Sequence, residues 1–454
     1  MANTLCVALA ALLACENGLQ GSSFPTGRRE EAAPPPAPAQ QWTRPVEVAT
    51  GPAHVGPWRM NESEFHYLDD PSVTFGPGGD IGVVWVDNER QAVFFQRFED
   101  EAVPRATPVE VSRSPEVFSW LPRVVMTGDD EVFVLWQEIV FSGGSHGGEI
   151  YFARSGDGGR TFEAPLNLSN TPAGAGKGRL TGERWSNGSL DLTRGPGGEL
   201  FAAWTEYEGA LWLSRSTDGG RSFSPPIRVA GEQRAPARGP SIAVGPDETV
   251  HLAWTVGEDE SADIRYAQSD DGGVSFGPPR LVSESDGHAD APKLDVDEDA
   301  AVHLVFTVGP MRRSERARVH YTRRRSGEPS FDEPRVISEL RPPSGASAPS
   351  IDLDGRGNVY VLWEHHPKHE GPARGLGFTS SQDGGDTFEG ATLVPGTRDP
   401  RLGRNGSLQG ELMRKLAVDD DGTVAVVSSH FRLGEASRVR LIVRPAPRRR
   451  TAMR

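Results

Sequence analysis

One stretch of the chain, Ser214–Pro226, reads SRSTDGGRSFSPP, and close copies of it occur at three other places. They are ARSGDGGRTFEAP from Ala153, AQSDDGGVSFGPP from Ala267 and TSSQDGGDTFEGA from Thr379. The shared core is Ser-x-Asp-Gly-Gly-x-Ser/Thr-Phe, and successive core phenylalanines lie 61, 53 and 112 residues apart. A degenerate copy, RRSGEPSFDEP, places Phe331 in the middle of the long gap. Self-similarity at a nearly constant period predicts a repeat architecture.

The segments before the copies share a second pattern, best seen in PSIAVGPDETVHLAWT from Pro240 to Thr255. Alternating apolar residues, β-branched side chains and Gly/Asp turns favour antiparallel strands, and helices should be few. Seven such units, each with about four strands, predict an all-β fold, a β-propeller of four-stranded blades. Six blades are the alternative if one degenerate unit is not a blade. The seventh unit lacks a last strand, so we expect PVEVAT (Pro45–Thr50) to complete it and close the ring.

The termini differ from this repetitive body. Residues 1–15 contain the apolar run Leu5–Ala14 followed by Cys15, a pattern typical of a signal peptide. LLAC at Leu12–Cys15 favours a lipoprotein signal with Cys15 as the lipidation site; a cleaved secretory signal and a wrongly assigned start are the alternatives. Residues 16–41 read as a disordered linker, 42–445 as the propeller and 446–454 as a basic tail. We therefore expect an exported protein of a bacterial cell envelope, or a secreted one, that contacts membrane only through a lipid anchor.

The composition limits the partners. The 454 residues carry a net charge of −15, which argues against nucleic acid as a ligand because phosphate contacts need a basic face. We expect a monomer without cofactors. His365, His366 and His369 in EHHPKHEG lack the spacing of a zinc site, so no metal site is predicted.

The repeated motif itself has a structural interpretation. An aspartate can accept backbone N–H bonds across a tight turn, the glycines supply positive φ, and the hydroxyl ties the returning strand. The phenylalanine is then expected to pack between neighbouring blades. The structural aspartates predicted in this way are Asp157, Asp218, Asp271 and Asp383.

These motifs resemble Asp-boxes, also called BNR repeats, and over about residues 44–445 the chain resembles the sialidase-like propeller superfamily. The resemblance implies an active site with three arginines, a tyrosine nucleophile backed by glutamate, and an aspartate acid/base. The family's first arginine lies in Phe/Tyr-Arg-Ile-Pro, whereas HYLDDPSV places Asp69 there. Among the seven units, only the fourth has an arginine at this offset, Arg238. Tyr151, Tyr266, Tyr321 and Tyr360 read as packing residues, and Tyr67 and Tyr207 lie in no sialidase-like context.

Candidate site residues come from the channel mouth and from two inserted loops. The starts of the inner strands should converge on the axial channel, where pockets form. They carry Asp69, Asp70, Arg123, Arg238, Asp290, Lys293, Glu411 and Lys415. If the chain is an enzyme, the catalytic candidates are Asp69, Asp290, Glu411 and Arg238. Each inserted loop contains an arginine followed closely by Asn-Gly-Ser-Leu. The predicted ligand-binding residues are Arg184, Trp185, Asn187, Arg404, Asn405, Arg123 and Lys293.

Together these features predict an exported propeller that binds a carbohydrate or cell-envelope ligand at the channel mouth. Mixed charges there equally suit mutual neutralisation. The alternative function is a glycoside hydrolase of exo-sialidase type, for which the resemblance is the argument. A second alternative is a protein–protein scaffold that presents the rim of the propeller.

Overall fold

The computed structural model describes 42–57, 64–99, 102–114, 117–128, 130–139, 148–170, 178–179, 185–186, 190–206, 209–232, 235–257, 262–282, 287–309, 316–368, 371–406 and 413–446. These residues all belong to one compact unit, 40–454. Across the described ranges, no helix has the length and apolar character needed to cross a membrane.

Six of the blades are four-stranded antiparallel sheets whose strands follow one another in chain order. Blade one contains Leu68–Phe75, Ile81–Asp87, Ala92–Phe98 and Val109–Glu110. Blade two contains Ser119–Met126, Val132–Glu138, Glu149–Ser155 and Leu166–Asn167. Blade three contains Leu190–Arg194, Leu200–Thr205, Leu211–Ser216 and Ile227–Ala230.

The next three blades repeat this arrangement. Blade four contains Ala237–Val244, Val250–Val256, Asp263–Ser269 and Arg280–Leu281. Blade five contains Ala289–Val296, Val302–Val308, Arg318–Arg324 and Arg335–Val336. Blade six contains Gly345–Leu353, Val359–His366, Leu376–Ser381 and Thr392–Leu393. The first strands of neighbouring blades contact each other around the ring and form its inner wall.

Blade seven closes the ring with both ends of the described chain. It contains Leu416–Val418, Val424–Arg432 and Ala436–Arg444, and its fourth strand is Val46–Gly51. Val46 pairs with Leu441 in antiparallel register. The predicted closure by an N-terminal strand is confirmed, and the count of seven blades, rather than six, is confirmed with it.

A few short elements lie outside this regular pattern. Arg404–Asn405 pairs with the second strand of blade seven. His54–Val55 pairs with Phe65–His66, Gly178–Arg179 pairs with Trp185–Ser186, and Pro400–Leu402 is a 3-10 helix.

The repeated Ser-x-Asp-Gly-Gly motif forms the turn after the third strand of a blade. In the second copy, the Asp218 carboxylate accepts hydrogen bonds from the Ser216 hydroxyl at 2.8 Å and from the amide and hydroxyl of Ser222 at 2.9 and 2.6 Å. The copies at Asp157, Asp271 and Asp383 form the same set of bonds. Each carboxylate therefore ties the turn to the returning strand.

The phenylalanine that ends the motif packs on an aromatic ring of the preceding blade. Phe223 meets Phe152 edge to face, with ring centroids 4.8 Å apart, and Phe388 meets Tyr321 in the same way at 4.8 Å. Edge-to-face pairs add to the area buried between sheets. The motif thus serves both the turn and the contact between blades, as its sequence suggests.

Candidate functional site

Five inner strands share a β-bulge at the channel mouth. In each, a register shift surrounds a residue of positive φ that precedes a proline, and these residues are Asp70, Leu121, Gly239, Ala291 and Ala348. A bulge bends its strand and re-aims the side chains next to it. Of the residues just before the bulged positions, Asp290 is a third exposed, whereas Asp69 and Arg238 are buried, as are Arg123 and Lys293 after the proline.

The mouth of the channel between blades four and five holds a cluster of three polar side chains. Arg238 Nη2 lies 3.5 Å from Asp290 Oδ2 and 3.2 Å from His288 Nε2, and His288 Nε2 lies 3.4 Å from the same carboxylate oxygen. Arg238 is 1% exposed, whereas His288 and Asp290 are 32% and 33% exposed. The Thr255 hydroxyl donates to Asp290 Oδ1 at 2.9 Å. We call these three residues, Arg238, His288 and Asp290, the mouth cluster.

The ionisation of Asp290 follows from these contacts. Burial alone would raise its pKa, but the hydrogen bond from His288 and the charge of Arg238 outweigh this and hold the pKa of Asp290 well below its usual value. The carboxylate is therefore an acceptor at neutral pH and is unsuited to donate a proton. The cluster offers donors and acceptors side by side, an arrangement that suits vicinal hydroxyl groups.

The interior of the channel is filled by a charge network below the mouth. Asp191 on blade three, which is fully buried, pairs with Arg123 of blade two at 3.3 Å and with Arg414 of blade seven at 2.7 Å. Lys293 of blade five is buried in the same layer, and its Nζ has no hydrogen-bond partner among the described residues. The sequence predicted Arg123 and Lys293 as ligand contacts, and the structure places both inside the channel rather than at its mouth.

A second buried ion pair joins blades six and seven. Lys415 Nζ contacts Glu364, whose other carboxylate oxygen accepts from the side-chain amide of Asn405. Asn405 also donates to the Gly375 carbonyl at 2.9 Å and accepts from the Gly375 amide at 2.7 Å. Its amide group, predicted to contact a ligand, is occupied by these contacts within the protein.

Asp69 lies on the first blade, close enough to Tyr67 for its charge to affect the tyrosine. Both residues are buried. The Tyr67 hydroxyl has no hydrogen-bond partner within the described ranges, and burial, together with the charges of Asp69 and Asp70, raises its pKa well above the usual value. Arg404 opposes that shift and stacks on Phe431, 5.2 Å from the ring centroid.

The structure also places several other tyrosines and histidines that the sequence analysis discussed. Tyr266 and Tyr321 are buried, each bonded to the histidine of the adjacent strand, and Tyr360 donates to Asp354 at 3.0 Å. His365 and His366 end a strand instead of lying on an exposed loop, because their segment continues the pairing with the first strand of blade six. Within the described residues, no set of three His, Cys, Asp or Glu side chains is arranged for a metal ion.

Several predicted residues cannot be placed. Arg184, Asn187, Tyr207, His369 and Glu411 lie outside the described residues, as do 1–41, with the signal and Cys15, and the tail from 447. Trp185 is described only as part of a short strand pair. Conversely, the sequence analysis missed His288 and set Tyr67 aside for want of a sialidase-like context. Each lies two positions before a chosen aspartate, and alternation along a strand would have placed each pair on one face.

Comparisons with known proteins identify the fold. No protein-family model and no curated protein sequence matches the chain. Among solved structures, an ulvan lyase of polysaccharide lyase family PL25, bound to -[GlcA(1-4)Rha3S]-, has a TM-score of 0.56 at 11% identity and covers 87% of this chain and 95% of its own. Polysaccharide lyase Uly1 has a TM-score of 0.54 at 12% identity, covering 89% and 100%.

A sialidase is also among the similar structures. The Hadza microbial sialidase Hz136 has a TM-score of 0.44 at 17% identity and covers 79% of this chain and 73% of its own. At such identities the likeness concerns the fold alone. That fold is a β-propeller, as the repeated motif predicted.

Proposed function

We propose that this chain is a carbohydrate-binding propeller whose ligand docks on the mouth cluster. The observation that carries the proposal is the joining of Arg238, His288 and Asp290 into one hydrogen-bonded set that is partly open to solvent. An imidazole and a carboxylate that are each about a third exposed can bond to adjacent hydroxyl groups of a sugar ring, while the buried Arg238 guanidinium holds the carboxylate in place. Two polysaccharide lyases of similar fold, one of them bound to -[GlcA(1-4)Rha3S]-, support the proposal.

The proposal includes the location of the protein and the role of its repeats. The apolar run Leu5–Ala14 before Cys15 supports export, with a lipid anchor as the favoured form. Metabolic labelling with a radioactive fatty acid tests the anchor, since Cys15→Ser should abolish the label. The Ser-x-Asp-Gly-Gly turns are taken as Asp-box repeats, which serve the scaffold and not the ligand.

Glycan cleavage is the second candidate, and the pairing of His288 with Asp290 favours it. A carboxylate that stays ionised beside an imidazole can hold that imidazole in position to act as the general base. Asp290 would then orient His288, since its lowered pKa makes it a weak base and excludes it as the acid. The other described candidates, Asp69 and Arg238, are both buried.

The test is a binding and turnover experiment on the full chain. Sialyllactose and a panel of neutral oligosaccharides are incubated with the protein, and NMR records line broadening of the sugar and any released product over a day. Broadening that His288→Ala and Asp290→Asn abolish supports recognition at the mouth cluster, and release that they abolish supports cleavage. Asp299→Asn, an exposed aspartate at the other end of blade five, is the matched control. Binding that survives both substitutions would contradict the proposal.

A further inference from the structure

A second cavity lies away from the channel, between the outer parts of blades five and six. Its volume is about 570 Å³, within the range of pockets that bind small ligands. One wall is formed by the chain from Arg335 to Ser344, which leaves blade five and enters blade six, and the other by Thr387–Ala391, which follows the aspartate turn of blade six. We call this cavity the side cleft.

Both walls of the side cleft are fixed by hydrogen bonds. Arg316 Nη1 donates to the Pro343 carbonyl at 2.6 Å, and Arg318 Nη1 donates to the Ser344 carbonyl at 3.1 Å. On the opposite wall, the Thr379 hydroxyl donates to the Glu389 carbonyl at 2.7 Å. A cavity with walls held in this way is preformed, so a ligand would bind without ordering a loop.

Two polar groups in the side cleft have no partner in the described part of the chain. The Ser344 hydroxyl belongs to a residue only 6% exposed, and its Oγ forms no hydrogen bond. Arg341 lines the same cavity, is exposed, and forms neither a hydrogen bond nor an ion pair in the described ranges. Buried hydroxyl groups are nearly always bonded, so an unbonded one that lines a cavity indicates a missing acceptor or donor.

The other lining groups restrict the chemical class of the ligand. Ile337, Leu340 and Phe388 supply apolar surface, against which the C–H face of a sugar ring can pack. Glu339 and Glu389 add two carboxylates, which accept from hydroxyl groups, and with Arg318, Arg335 and Arg341 they leave one net positive charge, which matches a single anionic group. A free phosphate or sulfate would leave the apolar surface uncovered. A ligand with one carboxylate, several hydroxyl groups and an apolar face satisfies all of these groups.

We propose that the side cleft binds a sugar acid, with its carboxylate on Arg341 and the Ser344 hydroxyl. The cleft would then be a second glycan subsite, separate from the mouth cluster, and its ligand class rests on the proposed carbohydrate function. Two subsites on one rigid ring would let a polymer chain be held at two points, which raises the affinity for a glycan of sufficient length.

The experiment is a titration of the full chain, methyl-labelled at Ile, Leu and Val, with D-glucuronic acid and with D-glucose. Methyl groups of Ile337 and Leu340 report on the side cleft, and those of Val308, which lie against Gly287 next to His288, report on the mouth cluster. Glucuronic acid should shift the Ile337 and Leu340 signals saturably, and glucose should do so with about tenfold lower affinity, because it lacks the charge-assisted hydrogen bond.

The variants separate this inference from the proposed function. Arg341→Gln and Ser344→Ala should each weaken the response at Ile337 and leave the response at Val308 intact, whereas Arg356→Gln, an exposed arginine on a hairpin of blade six, should change neither. Equal responses to the two sugars, no saturable shift at Ile337 and Leu340, or a shift insensitive to Arg341→Gln would each overturn the inference. Shifts at Val308 alone would contradict the sugar-acid site in the side cleft but leave the proposed binding at the mouth cluster standing. Shifts at Ile337 and Leu340 alone would support the side cleft and contradict binding at the mouth cluster.

Discussion

Arg414 extends across the axis of the propeller and donates two parallel hydrogen bonds to Asp191, from Nε to Oδ1 at 2.9 Å and from Nη2 to Oδ2 at 2.7 Å. Arg414 enters blade seven and Asp191 belongs to blade three, so the bond spans the ring. The same guanidinium donates to the Ile242 carbonyl of blade four at 3.1 Å. Next to it, Met413 is buried against Arg123. A network of buried charges thus links opposite blades across the centre of the ring.

Removing the charge of Asp191 should lower the free energy of unfolding of the propeller. Burial opposes ionisation of this carboxyl, but the charges of Arg414, Lys293 and Arg123 hold its pKa well below the usual value, so it is ionised at neutral pH. Asp191→Asn leaves buried cations without their counter-charge, which costs about 3–5 kcal/mol of unfolding free energy. Urea denaturation measures the loss. Glu298→Gln, an exposed change of the same charge, should cost almost nothing, and a similar small effect for Asp191→Asn would refute the role of the network.

Replacing Lys293 should raise the free energy of unfolding, the opposite of the effect expected for Asp191→Asn. Burial lowers the pKa of its ammonium group from 10.5, Asp191 opposes the shift, and Arg123 and Arg414 add to it, giving a pKa of about 7. Below pH 7 both the folded and the unfolded chain bind the proton, and the folded state bears the full cost of a buried charge. Between pH 7 and 10.5 only the unfolded state binds it, so stability rises with pH.

Lys293→Met removes that cost while keeping the shape. We expect a gain of about 1–4 kcal/mol at pH 6, shrinking toward zero as the pH approaches 10.5. Thermal unfolding of both proteins across this pH range gives the difference. Lys368→Met, at an exposed position after the second strand of blade six, is the control. A pH-independent difference, or a loss of stability, would show that the Lys293 amine stays charged and paired.

The second glycine of each repeated turn is required by the neighbouring blade. Gly385 has φ +85°, and a Cβ there would collide with the Tyr321 hydroxyl, whereas Gly357 has φ +75° with no atom near its Cβ position. Gly357→Ala should therefore cost about 1–2 kcal/mol for backbone strain alone. Gly385→Ala should cost about 1–3 kcal/mol more because it also overpacks the contact. Equal losses in urea denaturation would mean that the close approach is not important.

The fold could be predicted because its signals are local. A turn motif of eight residues, repeated with alternating strands around it, determines the blade. The missing last strand of the seventh unit pointed to Pro45–Thr50, and the observed strand is Val46–Gly51. The polar core could not be predicted in this way. Asp191 and Arg414 are 223 positions apart, and their meeting depends on the path of the chain into blade seven, for which the sequence carries no periodic signal.

The candidate site was predictable in part. Arg238 and Asp290 occupy the same offset in consecutive units, so the ring order alone brings them together, as found at 3.5 Å. Which polar residues remain accessible was not predictable. Asp69 and Arg238 are buried although they occupy the same offset before a bulge as Asp290, which stays a third exposed.

The N-terminal strand should be needed for stability although it lies farthest from the channel. Val48 is buried between blades, Val46 pairs with Leu441, and Trp42 packs edge to face on Phe378 with ring centroids 5.2 Å apart. Deleting residues 1–51 exposes the edge of Ala436–Arg444, which invites aggregation, and removes two valine contacts worth roughly 1.5 kcal/mol each or more. We expect a loss of at least about 3 kcal/mol, measured by urea denaturation, and a rise in light scattering on heating. Deleting residues 1–41 retains the closing strand and should leave both readings unchanged. If the two deletions behave alike, the ring does not depend on its closure.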